Sequence, residues 1–209
     1  MKASILIVPI LAVSLFMGCK NDHKKTMEGT EQESTETVTT PEKTEMDNHA
    51  AETKKIKVRL EPKSKSNVSG NVLFKEVDGI VSMVAVFDGL SEGEHAIHLH
   101  EKADCSAEDG TSSGGHWNPT AQPHGKWGSS EGYHKGDIGN FTADAKGHGT
   151  ISFSTDEWCI GCGDPSKDIL GKAVIVHQGT DDFTTQPTGN AGGRVSCGGI
   201  IEEEKNVHQ

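Results

Sequence analysis

The sequence lacks the patterns of a membrane-spanning or helical protein. Its apolar run from Ile5 to Met17 covers about thirteen residues, too few to cross a bilayer comfortably but enough for the core of a secretory signal. No later stretch repeats apolar residues at the spacing of an amphipathic helix. The net charge of −11 at pH 7 gives no basis for binding a polyanion, so we expect no nucleic-acid partner.

The two ends of the chain lack the apolar residues that a core requires. Residues 20–53 are rich in Thr, Glu, Lys and Ser and contain no aromatic residue, which predicts a disordered acidic linker. Residues 202–209 are predicted to form a polar tail.

Residues 1–19 end in Gly18 and Cys19, which looks like a bacterial lipoprotein processing site with Cys19 lipidated. A plain exported protein and an unprocessed anchor are the alternatives. We therefore expect a protein of the bacterial cell envelope, periplasmic or tethered to a membrane.

Residues 54–201 form a single domain by length, and their apolar residues alternate as in strands. The alternation is strict over residues 56–61, and comparable runs occupy residues 72–77, 80–87, 149–154 and 173–177. Asp-Gly pairs at Asp78-Gly79 and Asp88-Gly89 predict turns between such runs. This pattern predicts an all-β sandwich or barrel.

Histidine is concentrated between His95 and Asp137, and the segment HAIHLH sets the geometry of two of these residues. On a strand, His98 and His100 share one face, about 7 Å apart at their Cα atoms, while Ile97 and Leu99 enter a core on the other. A pair of solvated histidines on an edge strand is the alternative. The same stretch adds His116, His124, His134 and Asp137. A histidine-rich set with one carboxylate suits zinc or copper better than calcium or magnesium.

Five motifs carry a resemblance to a known family. GGHWNP, PHG, YHKGDIGNF, IVHQGTDD and GNAGGRVSCGGI resemble the copper/zinc superoxide dismutases, and the resemblance runs from Lys55 to Ile201. It implies an eight-stranded Greek-key β-barrel or sandwich with long metal-binding loops. It also implies dismutation of superoxide anion by a copper that is alternately reduced and oxidised, with zinc as its structural partner. A metal-binding or copper-buffering protein of the same fold, without turnover, is the alternative.

The resemblance assigns each ligand. Copper is held by four histidines: His98, His100, His116 and His177. Zinc is held by His116, His124, His134 and Asp137. His116 therefore bridges both ions as an imidazolate and serves as a proton donor when it detaches from reduced copper.

Three further positions follow from the same resemblance. Asp181 links His98 to His124, with a surface acid beside Asp182 as the alternative. Arg194 guides superoxide to the copper, with a surface ion-pair arginine as the alternative. Thr188 and Gly189 shape the mouth of the channel.

Apart from Cys19, four cysteines remain, and four allow three pairings. The resemblance implies a disulfide between Cys105 and Cys197. Cys159 and Cys162 depart from the family pattern, so we predict a local bridge, with free thiols as the alternative. The sequence leaves the oligomeric state open, and a homodimer is compatible with it.

Overall fold

The structure is a computed structural model that describes residues 53–202. The predicted signal peptide, Cys19, the linker up to residue 52 and the tail from residue 203 lie outside the described residues. Between residues 53 and 202, no helix has the length and apolar character needed to cross a membrane.

The described chain is built of strands, which confirms the all-β prediction. It contains one short 3-10 helix, Thr111–Ser113, in the long connection after the fourth strand. The strands are β1 Lys54–Pro62, β2 Ser69–Val77, β3 Ile80–Asp88, β4 Gly93–His100, β5 Asp137–Ala143, β6 Gly149–Thr155, β7 Ala173–His177 and β8 Arg194–Gly199.

The eight strands close into a barrel in the order β1-β2-β3-β6-β5-β4-β7-β8, and every neighbouring pair is antiparallel. β4, β5 and β6 follow one another as neighbours, and β3 lies beside β6 although the chain continues from β3 to β4. This is the Greek-key connection. Because β1 also pairs with β8, the sheet closes on itself instead of ending in two free edge strands.

The two Asp-Gly pairs behave differently. Asp78 and Gly79 have φ of 51° and 76° and join Val77 to Ile80, which face each other across the β2–β3 hairpin. Two positive φ values suit the tight turn whose twist matches that of the strands. Asp88-Gly89 instead ends β3 and leads to β4, with which β3 does not pair. Gly89 is required there, because a Cβ atom would lie 2.5 Å from the carbonyl oxygen of Asn67.

The alternating residues of β1 to β3 fill the barrel. Ile56, Val58 and Leu60 of β1 are buried, whereas Lys57 and Arg59 between them are exposed. Each fully buried side chain of this size contributes about 1.5–3 kcal/mol to folding. β4 and β7 differ because both of their faces are covered: Ile97 and Leu99 enter the core as predicted, while the alternate residues of β4 lie under the long loops.

Two disulfides lie outside the hydrogen-bonded strand pairs. Cys105, in the loop after β4, is joined to Cys197 of β8 across 92 positions, and Cys159 is joined to Cys162 within the β6–β7 loop. By the chain-entropy estimate, closing the long loop contributes about 4.6 kcal/mol and closing the short one about 2 kcal/mol. The first bond therefore stabilises the whole domain, whereas the second acts within its own loop.

Candidate metal centre

Three of the histidines assigned to copper stand on strands of the barrel wall. His98 and His100 belong to β4 and His177 to the neighbouring strand β7. β4 lies between β5 and β7 and both of its histidines are fully buried, so a solvated pair on an edge strand is wrong. A register irregularity precedes His98 in its pairing with β5, and another precedes His177 in its pairing with β8. Such irregularities turn a side chain away from the regular alternation.

The fourth member, His116, comes from the loop after β4, which folds back onto that strand. His116 forms an isolated bridge with His100, and the Trp117 N–H donates to the carbonyl of Leu99 at 2.8 Å. One ring nitrogen from each of His98, His100, His116 and His177 then falls within 4.8 Å of the others. We call these four residues the copper group.

The ring nitrogens of the copper group are arranged for a cation. His100 Nδ1 donates to the Gly114 carbonyl at 2.9 Å and His177 Nδ1 to the Gly192 carbonyl at 3.3 Å. Both Nε2 atoms are therefore acceptors, yet they face each other at 3.4 Å. Two acceptors cannot hydrogen-bond to one another, whereas a cation between them binds both. Buried His98 Nδ1 and His116 Nε2 also have no hydrogen-bond partner within the described chain.

A second set, the zinc group, surrounds Asp137 at the start of β5. It consists of His116, His124, His134 and Asp137, all buried. Asp137 Oδ2 accepts hydrogen bonds from the N–H groups of His134 and Gly125 at 2.8 and 3.1 Å, which fixes the carboxylate. Asp137 Oδ1 lies 2.9 Å from His116 Nδ1 and 3.3 Å from His134 Nδ1.

The spacing in the zinc group is that of ligands around one tetrahedral ion. Nitrogen and oxygen ligands about 2.0 Å from such an ion lie about 3.3 Å from each other. His124 Nδ1 and His134 Nδ1 are 3.0 and 3.3 Å from Asp137 oxygens, but neither is aligned for a hydrogen bond, and both are buried without a partner among the described residues. The donor set fits zinc, and the four side chains leave no position for a catalytic water.

His116 belongs to both groups. Its Nδ1 faces Asp137 in the zinc group, and its unpartnered Nε2 faces the copper group, where its ring centroid is 3.9 Å from that of His98. The two ring nitrogens of one imidazole thus face two neighbouring groups of possible metal ligands.

Asp181 is hydrogen-bonded to one histidine of each group. Its Oδ2 accepts from His98 Nε2 at 2.8 Å and its Oδ1 from His124 Nε2 at 2.9 Å. At 1% exposure it is not a surface acid, unlike its neighbour Asp182. Gly189 was expected at the mouth of a channel, but it is buried against this contact. A Cβ atom on it would lie 1.8 Å from Asp181 Oδ1, and its φ of +66° also favours glycine. Thr188, which precedes it, is half-buried.

Arg194, the first residue of β8, is fixed by the loop after β4. Its guanidinium donates to the carbonyls of Gly110 and Gly114 at 2.7 and 2.8 Å and to Ser113 Oγ at 3.0 Å. The Gly114 carbonyl also accepts from His100, so Arg194 and a copper-group histidine share one acceptor. Arg194 forms no ion pair within residues 53–202, contrary to the surface ion-pair alternative.

Burial and the carboxylates divide the histidines electrostatically. Burial lowers the pKa of His116 to about 4 despite its contact with Asp137, and burial holds the pKa values of His100 and His177 well below the usual 6.5. These rings are neutral at physiological pH, as metal binding requires. Burial also acts to lower the pKa of His124, but its close contacts with the carboxylates of Asp137 and Asp181 outweigh burial and raise that pKa to about 9. A proton therefore competes with zinc at His124.

Several residues that hold the metal-group residues in place were not assigned a role from the sequence. Gln186 Oε1 accepts from the His124 N–H, and Gln186 Nε2 donates to the His124 carbonyl, both at 2.8 Å. Asn140 exchanges two 2.8 Å hydrogen bonds with the backbone of Asp181. His95 Nδ1 lies 2.9 Å from the His177 carbonyl. Gln186 is 62 positions from His124 and Asn140 is 41 from Asp181, so no local motif could have signalled these contacts.

Comparison with known proteins places the chain in a family. The model of the family described as copper/zinc superoxide dismutase matches residues 68–200. The extracellular superoxide dismutase [Cu-Zn] of Caenorhabditis elegans is 36% identical over 142 residues, which cover 64% of this chain and 62% of that protein. The chain belongs to the copper/zinc superoxide dismutase family, whose cofactors are copper and zinc. Its match spans about 62% of the length of this curated relative.

Two solved structures are similar to the domain. One is the crystal structure of a double mutant of a SOD-like protein from Bacillus subtilis, with a TM-score of 0.62 and 31% identity. The other is a single mutant of a SOD-like protein from the same organism, with a TM-score of 0.62 and 29% identity. Each covers 70% of this chain and 97% of the solved chain.

Proposed function

We propose that this protein catalyses the dismutation of superoxide to dioxygen and hydrogen peroxide, with copper in the copper group and zinc in the zinc group. The observation that carries the proposal is His116, one buried imidazole whose two nitrogens face the two groups. Copper, when bound, supplies the one-electron exchange with each of two superoxide anions, whereas zinc has no redox chemistry of its own.

The residues of the chain perform the remaining work. His98, His100 and His177 would hold the copper from two adjacent strands, whose ladder fixes the positions of the three rings. Two protons are consumed when two superoxide anions give one dioxygen and one hydrogen peroxide. His116 Nε2 would take up one of them from solvent and give it to the forming peroxide, and the second would come from solvent directly. Asp181 keeps His98 and His124 in their orientations through its two hydrogen bonds, and Asp137 would share the zinc with His116.

Arg194 attracts the substrate. A net charge of −11 repels an anion, so attraction has to come from local positive charge near the copper group. The guanidinium of Arg194 is anchored by two backbone carbonyls and a hydroxyl, none of which neutralises its charge. It shares the Gly114 carbonyl with His100, which sets it beside the copper group.

The test separates substrate attraction from metal binding. Arg194→Ala should keep both metals and lose about tenfold in rate, or about 1.4 kcal/mol, at low ionic strength. The wild-type rate should fall as salt is added, with a Debye length of about 8 Å at physiological ionic strength, and the variant's rate should fall less. Arg59→Ala on exposed β1 is the matched control and should behave as wild type. A normal rate with unchanged salt dependence in Arg194→Ala would contradict the assigned role.

Metal content and dismutation measured on one purified sample test the activity itself. About one copper and one zinc per chain, with turnover, supports the enzyme. A fully loaded protein without turnover would identify the alternative, a metal-binding or copper-buffering protein of the same fold.

We also propose that the protein is exported and that a lipid on Cys19 tethers it to a membrane of the bacterial envelope. Gly18-Cys19 after the apolar run supports the tether, and two disulfides suit an oxidising compartment. Cys19→Ser should release the protein from the membrane fraction or leave its precursor unprocessed; unchanged processing and retention would argue against the lipid.

Cleavage of residues 20–53 by a protease, with residues 54–201 left intact, tests the linker. A homodimer stays a prediction for sedimentation analysis.

A further inference from the structure

The zinc ligand His134 lacks the support that the other zinc histidines have. His124 is hydrogen-bonded to Asp181 through its far ring nitrogen, and His116 lies between the two groups. Within residues 53–202, the far ring nitrogen of His134 makes no hydrogen bond. Two backbone hydrogen bonds join His134 to Asp137: the His134 N–H donates to Asp137 Oδ2 at 2.8 Å, and the His134 carbonyl accepts from the Asp137 N–H at 3.0 Å; its Nδ1 lies near Asp137 Oδ1. The direction of this ring is therefore set by the backbone on either side of it.

One carboxylate reaches both neighbours of His134. Glu157, which follows β6, accepts a hydrogen bond from the Tyr133 hydroxyl through Oε1 at 2.5 Å. Its Oε2 accepts from Lys135 Nζ in an ion pair whose side chains are 17% and 30% exposed. Partial burial of the pair and the second hydrogen bond on the same carboxylate distinguish this contact from an ordinary surface salt bridge.

The residue after Glu157 adds a third contact to the same segment. The indole N–H of Trp158 donates to the Lys135 carbonyl at 2.9 Å. Trp158 is 1% exposed and packs in the core against Phe74 and Phe153. Glu157 and Trp158 together, called here the brace, thus hold the backbone and both flanking side chains around His134.

The brace is itself anchored to the barrel. Cys159 follows Trp158 and is held by its disulfide with Cys162 and by backbone hydrogen bonds to Lys167 and Ile169 at 2.9 and 3.1 Å. The Ile160 N–H donates to Glu76 Oε2 of β2 at 2.8 Å. A displacement of the brace would disturb these contacts, so it provides a fixed support.

We propose that Glu157 is a positioning residue for zinc: it holds Tyr133 and Lys135 so that Nδ1 of His134 stays directed at the ion. This inference rests on the proposed zinc group. It adds an outer contact from the β6–β7 loop, and outer contacts of metal ligands commonly influence affinity by about 10–100-fold.

The test measures zinc release rather than activity. The full chain, loaded with copper and zinc, is mixed with a chromophoric chelator and zinc transfer is followed. Glu157→Ala should release zinc about tenfold faster. Glu157→Gln should lie between this variant and wild type, because the amide oxygen still accepts from Tyr133 while the charge facing Lys135 is gone. Glu131→Gln is the matched control: it removes one carboxylate charge from the β4–β5 connection, three positions before His134, and its side chain makes no hydrogen bond in the described part of the chain.

A second readout reports ligand geometry. Co²⁺ substituted for zinc should show an altered visible absorption band in Glu157→Ala and an unaltered band in Glu131→Gln. Trp158→Phe removes the donor to the Lys135 carbonyl together with part of a buried ring, so it should also release zinc faster than wild type, and its metal-free stability is measured beside it.

Three outcomes separate the hypotheses. A wild-type protein that holds no zinc would refute the proposed metal centre. A wild type that holds zinc, together with a Glu157→Ala variant that keeps the wild-type release rate and cobalt spectrum, would refute the role of Glu157 alone. Faster release matched by an equal loss of stability in the metal-free protein would make Glu157 a general structural residue and would also overturn the inference.

Discussion

The copper group and the zinc group fix their imidazoles by different means. Copper would be held mainly by β4 and β7, adjacent strands of a closed barrel whose ladder sets the positions of three histidines. Zinc would be held mainly by a loop, because His116, His124 and His134 all precede β5 and only Asp137 starts a strand. A loop has no ladder of its own, so its geometry depends on contacts from distant segments.

Those contacts come from two separate places in the fold. The segment between β7 and β8 supplies Asp181 to the ring of His124 and Gln186 to its backbone. The β6–β7 loop supplies Glu157 and Trp158 to the neighbours of His134. Copper binding should therefore respond chiefly to changes in its own ligands, and zinc binding also to residues far from the ion.

The largest effect should follow from changing a strand ligand. His177→Ala removes one nitrogen from the copper group and leaves the zinc group untouched. We expect copper affinity and dismutation to fall by about 100-fold or more, beyond the range of outer contacts, with zinc retained. Elemental analysis and an activity assay on one sample measure both. Gln178→Ala, at the exposed next position, is the control, and full copper with full activity in His177→Ala would show that the ligand assignment is wrong.

A substitution at Asp181 should affect the binding of both metals, because Asp181 contacts one histidine of each group. Asp181→Asn keeps the size of the side chain but can accept from only one of the two rings. The affinities for copper and for zinc should both fall, by about 10–100-fold. Chelator competition measures each affinity, and Asp182→Asn, the exposed neighbouring acid, should leave both unchanged. Loss of only one metal would mean that Asp181 supports only one group.

A substitution at Gln186 should affect zinc binding alone, and by less than a substitution at Asp181. Gln186→Ala removes two hydrogen bonds to the His124 backbone, each worth about 1 kcal/mol at most in a partly exposed place, so zinc release should accelerate about fivefold. Gln186→Glu keeps the acceptor for the N–H but sets an oxygen against the carbonyl, so it should release zinc faster than wild type. Chelator kinetics at constant copper content provide the measurement. An equal loss of copper would remove the proposed distinction between strand and loop support.

The smallest effect should appear in the pH dependence of the metal-free domain. His124, whose folded pKa is raised to about 9, contributes stability that is present below 6.5 and lost as the pH rises through about 9. His116, with its pKa lowered to about 4, contributes stability that is present above 6.5 and lost as the pH falls towards 4. The free energy of unfolding should therefore pass through a maximum near neutral pH.

Zinc should remove the alkaline part of this curve, because it replaces the proton on His124. Denaturant titrations of the metal-free and zinc-loaded domain at several pH values measure the difference. An alkaline decline of equal size in both forms would assign it to a group other than His124.

The local sequence pattern was sufficient to predict the strands and to predict which side chains share a face of a strand. The period-two alternation of residues 56–61 places Ile56, Val58 and Leu60 in the core, and HAIHLH places Ile97 and Leu99 there because successive strand residues point to opposite sides. The motifs around the histidines resemble those of one family strongly enough to predict the Greek-key barrel and its two metals. The alternation of side chains along a strand and the short motifs each involve only residues close together in the chain, so they can be identified from the sequence alone.

Only the tertiary structure decided how the site is supported. The nitrogen of each ring that is left for a metal depends on what the other nitrogen contacts, such as the Gly114 carbonyl for His100 or Asp181 for His98. Gly189 is needed because Asp181 approaches its backbone, and Glu157 acquires its role because the β6–β7 loop packs on the residues around His134. These partners are separated by many positions in the chain, and the closing of the barrel and the packing of its loops bring them within hydrogen-bonding distance.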